Sequence, residues 1–431
     1  MQLQNIKLWI MAALVTVSPF IHAQSPDTSI SLQETRHILS YLAADELKGR
    51  GNGRPELLTA ARYIGSYFKE IGLSAYGNEA SVYIPFQPFG GSNLALRDIL
   101  MYNGRVVPAS EYAFFNVIPG WYPVKELADF TVIQHEGAFT PGILETYKNT
   151  EKPLIIWTDQ LTPDKKKLPK QFDIPKEGLR NNIILVYATA APTSIKLTAN
   201  AKVYSMLQYN VVGMLKGSTR PDEFIILSAH YDHEGVYKTR RKRDSIMNGA
   251  NDNASGTTAL LQLAKHFAQQ QNNERTILFC AFSGEELGLL GSEDFSRQVD
   301  AEKVIALFNL EMLGVPQLGK QKVFITGQEY SSLPAILSAA LKENGLTVIA
   351  EPDIEKRLFQ RSDNFPFAQK GIPAHTIMAS DDDDKCYHEP CDDIKRIDFD
   401  NLNHIIKALS KAIQPFTTAN ADPGRITRPV E

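Results

Sequence analysis

From Tyr209 onward the chain alternates short apolar runs with longer stretches whose apolar residues return every three or four positions. The runs predict strands at 210–215, 223–229, 276–282, 304–310, 322–326, 346–350 and 374–379. The stretches predict helices at 255–270, 332–344 and 398–413, the last with Phe399, Leu402, Ile405, Ile406, Leu409 and Ile413 on one stripe. Upstream, residues 32–44 place Ile38, Leu39 and Leu42 on one side. A second helix is predicted from Pro55, with Leu57, Leu58, Ala61, Ile64, Phe68 and Ile71 at helical spacing. Pro55 suits its first turn and Gly72 its C-terminal cap. Strand–helix alternation predicts an α/β fold: a mostly parallel central sheet with helices on both faces.

Residues 86–205 break this pattern. They carry Pro, Tyr and short apolar runs such as Phe130-Thr-Val-Ile133 and Leu154-Ile-Ile-Trp157, with no long helical period. The expectation is a β-rich insertion, containing a charged loop from Asp164 to Lys170. The main domain is then 24–85 plus 206–417, opened by a disordered leader at 24–30 and followed by a loosely ordered tail at 418–431.

Composition narrows the class. The 431 residues are 43% hydrophobic and 22% charged, as in a folded soluble protein. The net charge of −4 points to no nucleic-acid partner. Residues 1–23 read as an export signal: Lys7, an apolar stretch from Leu8 to Phe20, and Ile21-His22-Ala23 as a cleavage site. The run is short for a membrane span and no cysteine lies near the cut, so the expectation is an exported, periplasmic or secreted protein without a membrane anchor. Cys280 falls in an apolar run and reads as a core thiol, whereas Cys386 and Cys391 flank His388 and are either two free thiols or a small closed loop.

Chemistry-bearing residues collect where the apolar runs end. Phe224-Ile-Ile-Leu-Ser-Ala229 leads into His230-Tyr231-Asp232-His233. The run before Ser283 ends in Glu285-Glu286, and 304–310 ends in Glu311. Asn248-Gly-Ala-Asn-Asp252 opens a helix, and the last strand leads through an acidic loop to Tyr387-His388. Carboxyl ends of strands are where open α/β sheets place their sites. Two histidines and three acids suffice for two zinc ions if one carboxylate bridges, and such a pair can activate water against a carbonyl. Taken singly, each residue has a plainer reading. His230 can be a core histidine, Asp252 a helix cap, and Glu285 and Glu286 first-turn acids; Glu311 can be an isolated buried acid.

The segments His230-Tyr-Asp-His, Asn248-Gly-Ala-Asn-Asp-Asn-Ala-Ser-Gly256, Phe282-Ser-Gly-Glu-Glu-Leu-Gly288, Ser362-Asp-Asn-Phe-Pro-Phe-Ala-Gln-Lys-Gly-Ile-Pro373 and Tyr387-His-Glu-Pro-Cys-Asp392 together resemble the secreted zinc aminopeptidase family. Its relatives include glutamate carboxypeptidase II, the transferrin receptor and glutaminyl cyclase. The resemblance covers 32–75 and 209–415 but not 86–205. It implies a zinc-dependent exopeptidase acting on peptides. Asp252 would bridge two Zn²⁺ ions, with His388 and Glu286 completing one site and His230 and Glu311 the other. Glu285 would be the general base, Asp232 would fix the tautomer of His230, and Tyr387 would donate to the developing oxyanion. The peptide after the bridging aspartate would be cis. A disulfide between Cys386 and Cys391 would stiffen the loop presenting His388.

One departure matters: relatives usually have aspartate where this chain has Glu311, which puts the second metal in question. Glutaminyl cyclase activity, with one zinc, and a non-catalytic binding role remain alternatives. For substrate contacts, Asp381–Asp384 reads either as a site for a terminal amine or as a solvated loop, and Arg361 either meets a substrate carboxylate or makes a structural ion pair. The basic run Lys238-Thr-Arg-Arg-Lys-Arg243 either favours acidic substrates or is an exposed loop.

Overall fold

The computed structural model describes residues 29–77, 81–86, 99–108, 111–115, 124–160, 168, 172, 179, 181–198, 208–237, 244–427 and 430. The export signal, the run 238–243 and nearly all of the loop 164–170 lie outside them.

A nine-stranded sheet organises the main domain. Its strands are β1 (Ser74–Ala75), β2 (Tyr83–Phe86), β3 (Gln208–Leu215), β4 (Arg220–His230), β5 (Arg275–Phe282), β6 (Val304–Glu311), β7 (Lys322–Ile325), β8 (Thr347–Ile349) and β9 (Ala374–Met378). Their order is β1-β3-β5-β4-β6-β9-β7-β8, with β2 also paired to β3. The centre, β5-β4-β6-β9, is parallel as expected. The flanks are not: β3 runs antiparallel to β5, and β7 antiparallel to β9. The short connections explain this, because a parallel return needs a crossover of a dozen or more residues. The chain turns from β3 into β4 within 216–219 and reaches β7 from β6 without a helix.

Alternate residues of the central strands feed opposite cores, so their sequences are apolar throughout. Ile277, Phe279 and Ala281 of β5 join Ile225, Leu227, Ala306 and Phe308 beneath the helices Leu32–Leu42, Pro55–Glu70, Gly256–Gln270, Leu333–Glu343 and Phe399–Thr417. Leu278, Cys280 and Phe282 point the other way, toward Phe295 of the helix Leu290–Gln298 and Phe367 of Phe365–Ala368. Helices therefore cover both faces.

The inserted stretch is β-rich. Ile99–Tyr102, Arg105–Val106, Val124–Glu126 and Ile195–Thr198 form one four-stranded sheet. Tyr112–Phe115, Thr131–Gln134, Leu154–Thr158 and Ile183–Tyr187 form another. Ile155, Trp157, Ile184 and Val186 pack on Leu100, Tyr102, Ile195 and Leu197 of the first sheet. The alternate residues Ile156, Ile183 and Leu185 pack on Phe139, Ile143 and Leu144.

Two expectations about the ends need correction. Ser29 and Ile30, placed in a disordered leader, are buried, and the Ser29 hydroxyl lies 2.7 Å from His266 Nδ1. The tail is also not loose over its described part. The guanidinium of the buried Arg275 donates to Phe416 O and Ala421 O, each at 2.9 Å, and pairs with Asp422. Arg425 donates to Ala301 O and Val304 O, and Ile426 is buried. A buried cation needs acceptors, and the tail supplies them. Among the described residues no helix is long and apolar enough to cross a membrane.

Candidate metal centre

Parallel pairing brings the carboxyl ends of β4, β5, β6 and β9 to one edge, and the singled-out residues meet there. Two clusters of possible ligand atoms form, each within 4.8 Å: His233, Asp252, Glu286 and His388, and His230, Glu285 and Glu311. Asp252 joins them. Its Oδ1 lies 3.3 Å from His230 Nε2, and its Oδ2 lies 3.2 Å from His388 Nε2. His388 Nε2 is also 3.1 Å from Glu286 Oε2.

The segment carrying Asp252 is held on several sides. Arg50, 1% exposed, donates to Tyr231 O at 2.8 Å, Asn248 O at 2.7 Å and Gly249 O at 2.9 Å, and also to Leu42 O. Burial pulls its pKa down to about 10 against the attraction of Asp252, Asp232, Asp392 and Glu286, so it stays charged at neutral pH. The preceding Gly49 has φ +65°, and a Cβ there would fall 2.1 Å from Met247 O; only glycine lets the two chains approach so closely. Asn253 donates to Leu310 O at 2.9 Å and accepts from Gly256 N at 3.0 Å. The Asp252–Asn253 peptide is cis, as the resemblance implied.

Asp232 lies behind His230, but its role differs in detail from the expected one. The acceptor nearest His230 Nδ1 is the main-chain oxygen of Asp232 at 3.3 Å; the carboxylate is 3.8 Å away. That carboxylate instead accepts from Asn52 Nδ2 at 2.7 Å and faces the N–H groups of Glu285 and Glu286 at 3.3 and 3.4 Å. It therefore ties the end of β4 to the tandem glutamates. With Nδ1 directed at a carbonyl, His230 presents Nε2 to the cluster.

Glu311 keeps its extra methylene by anchoring one oxygen. Its Oε2 accepts from the Ser362 hydroxyl and faces Asn309 Nδ2 at 3.3 Å. Burial pushes its pKa up to about 7 against the pull of His230, with Asp252 adding to the rise. Tyr387 stacks on His388, ring centroids 3.9 Å apart, and borders a pocket of about 20 Å³ with Asp252, Glu285, Glu311, Met312, Leu358, Arg361, Met378 and Asp382. Burial and the surrounding acids push its hydroxyl well above the usual range, so it remains a donor. Cys386 and Cys391 form a disulfide that closes the loop around His388.

His233 was quoted in its segment but given no role. It is fully buried, and its Nδ1 lies 2.6 Å from Glu286 Oε1. The signal was present: a second imidazole three residues after His230, in the same strand-end segment.

The acidic loop is engaged by cations of the chain. Lys356 Nζ reaches Asp381, Asp382 and Asp383 at 3.2, 2.7 and 2.8 Å. Arg361 pairs with Asp382 at 2.7 Å and Arg396 with Asp384 at 2.7 Å. A larger cavity of about 390 Å³ is lined by inserted-region residues such as Tyr102, Arg105 and Asp159, and by none of either cluster.

The donor set fits zinc. Among the described residues the buried Nε2 atoms of His230, His233 and His388 have no hydrogen-bond partner, although carboxylate oxygens stand 3.1–3.3 Å from two of them. The Nε2 atoms of His230 and His388 each face a carboxylate oxygen of Asp252, while His233 meets Glu286 through Nδ1. Buried carboxylates at this density are costly without a cation.

The profile of peptidase family M28 matches residues 210–413. Aminopeptidase YwaD of Bacillus subtilis (strain 168) is 24% identical over 291 residues, covering 65% of this chain and 58% of that protein. A probable zinc metalloprotease of Pyrenophora teres f. teres is 39% identical over 106 residues, covering 24% of this chain and 22% of that protein. The chain thus spans less than two thirds of these relatives' length. The aminopeptidase from Aneurinibacillus sp. strain AM-1 shares the fold, with a TM-score of 0.52 at 20% identity, covering 94% of this chain and 97% of that one.

Proposed function

Across residues 210–413 the chain belongs to peptidase family M28, and from that premise we propose a zinc-dependent aminopeptidase that removes N-terminal residues from peptides. The observation that carries this reading is Asp252, whose two carboxylate oxygens face different histidines in two adjoining clusters. His388, Glu286 and Asp252 would hold one Zn²⁺, and His230, Glu311 and Asp252 would hold a second. Zinc bound there would acidify a water and polarise the scissile carbonyl.

The chain's own groups do the rest. Glu285 opens on the pocket beside His230 and Glu311 and is assigned here to proton transfer rather than to metal binding; burial pushes its carboxyl well above the usual carboxylate range against the attraction of His230. A carboxyl so shifted is suited to take a proton from the attacking water and return it to the leaving amine. Tyr387, kept protonated, donates to the oxygen on which negative charge develops. The main-chain oxygen of Asp232 holds His230, and His233 Nδ1 holds Glu286. Because Lys356 and Arg361 occupy the acidic loop, that loop is not proposed to bind the substrate amine.

The test is a panel of aminoacyl and peptide substrates, with and without a chelator, alongside metal counting. Chelator-sensitive release of N-terminal residues with two zinc ions per chain supports the reading. One zinc ion and cyclisation of an N-terminal glutamine would support the cyclase alternative; the presence of both His230 and Glu311 favours hydrolysis.

Export is proposed as well, on residues 1–23 and on the Cys386–Cys391 disulfide, which suits an oxidising compartment. N-terminal sequencing of the mature protein checks it: a start at Gln24 supports export, and a start at Met1 contradicts it.

A further inference from the structure

Asp392 ends the segment that presents His388, one residue beyond the disulfide-bonded Cys391. It is 2% exposed, yet no cation pairs with it among the described ion pairs. Its carboxylate is engaged by main chain. Oδ1 and Oδ2 accept from Asn251 N at 3.0 and 3.1 Å, and Oδ2 also accepts from Asp252 N at 3.0 Å. Its own carbonyl accepts from Ala250 N at 3.1 Å. Three successive amides of the Asp252 segment thus end on one residue of the His388 loop.

The carbonyl side of the same segment is held by the opposite charge. Arg50 donates to Asn248 O and Gly249 O. A buried cation collects the carbonyls of 248 and 249, and a buried anion collects the amides of 251 and 252, while its own main-chain carbonyl takes the amide of 250. Hydrogen bonds to ionised groups are stronger than neutral ones, and each charge here is satisfied by backbone dipoles rather than by a partner ion.

We propose that Asp392 is a positioning residue for the metal centre. It fixes the bridging Asp252 against the loop that carries His388, so the two ligands keep their spacing before any metal arrives. His388 Nε2 and Asp252 Oδ2 stand 3.2 Å apart, and Asp392 joins their segments directly through hydrogen bonds to the main chain. The proposal rests on the zinc-site reading above. Loss of an outer partner of a ligand typically costs about 10- to 100-fold in metal affinity. An amide at this position keeps the shape but turns one acceptor into a donor that faces backbone N–H groups.

The experiment compares full-length wild type and Asp392→Asn. Zinc affinity is measured by competition with a chromogenic chelator, and the melting temperature of each protein is measured after metal removal. The expected result is zinc binding weakened about 10- to 100-fold, with kcat falling more than KM changes when zinc is saturating. Unchanged zinc affinity with a lower metal-free melting temperature would overturn the proposal, since that is what a merely structural residue does. Wild type that binds no zinc would instead refute the zinc-site reading itself. Should the variant fail to fold, hydrogen exchange on metal-free wild type decides. Slow exchange at the Asn251 and Asp252 amides supports Asp392 as their holder, and fast exchange that slows only with zinc overturns it.

Discussion

Glu285 and Glu286 are neighbours in the chain whose carboxylates enter different clusters. The backbone arranges this. Gly284 sits at φ +76°, ends the strand sharply and starts a tight 3₁₀ turn over Glu285–Leu287, so successive side chains diverge. Glu286 is taken down to about 2: burial and Asp252 push it up, but hydrogen bonds from His233 and His388 prevail. Among the described residues no donor bonds the Glu285 carboxylate, and burial raises it. One carboxylate is thus a permanent anion suited to a cation, and the other is suited to carry a proton. Glu286→Gln is expected to lower zinc affinity by at least the ~10–100-fold seen for outer partners, as read by chelator competition.

His233 holds the Oε1 of Glu286 at 2.6 Å and leaves Oε2 facing His388. His233→Phe removes that donor while keeping a buried ring. The expected outcome is zinc binding weakened about 10- to 100-fold, with Glu286 still present to bind it. Isothermal titration with zinc checks this; wild-type affinity would remove His233 from the account.

Glu311 is longer than the aspartate usual in relatives, and the structure uses the length to reach Ser362 and Asn309. Glu311→Asp withdraws the carboxylate from that anchor. It is expected to lower the occupancy of the second zinc site, measured as zinc ions per chain after dialysis, and not to improve it. A Ser362→Ala variant should share the direction with a smaller effect.

Asp398 caps the helix Phe399–Thr417 through Asn401 N at 3.0 Å and meets Lys320 at 2.7 Å. The Lys320 hydrogen bond holds its carboxyl below the ordinary range, with burial acting weakly against it. A depressed folded-state pKa gives stability that is present above the unfolded value near ~4 and is lost as pH falls through the lower folded value. Asp398→Ala is expected to cost about 1 kcal/mol at pH ~7, the usual worth of such a cap, and less below pH ~3. Urea unfolding at the two pH values measures the difference.

Periodicity alone placed the central strands and the long helices, because residues such as Ile277 to Phe282 are buried on both faces and admit little but apolar side chains. The antiparallel flanks were not legible, since β3 and β7 carry the same apolar signature in either direction. The ordered tail was not legible because its partner, Arg275, follows Glu274 at the start of an apolar run and becomes an anchor only when β5 is buried. In the site, His230, Glu286 and Glu311 stand at or just beyond strand ends, Asp252 opens a helix and His388 lies on the loop after β9, and all were readable in those positions. The roles of His233, Arg50 and Asp392 depend on which side-chain and backbone atoms come within about 3 Å, which no spacing in the sequence reports.

The central claim is that Glu285 moves the proton while its neighbours hold the metal. Its most direct test is zinc stoichiometry and peptide hydrolysis measured on the same preparation of Glu285→Gln. The account predicts wild-type zinc content with kcat reduced about 100-fold or more, the usual scale for losing a general base. Wild-type hydrolysis by a zinc-loaded Glu285→Gln protein would contradict it.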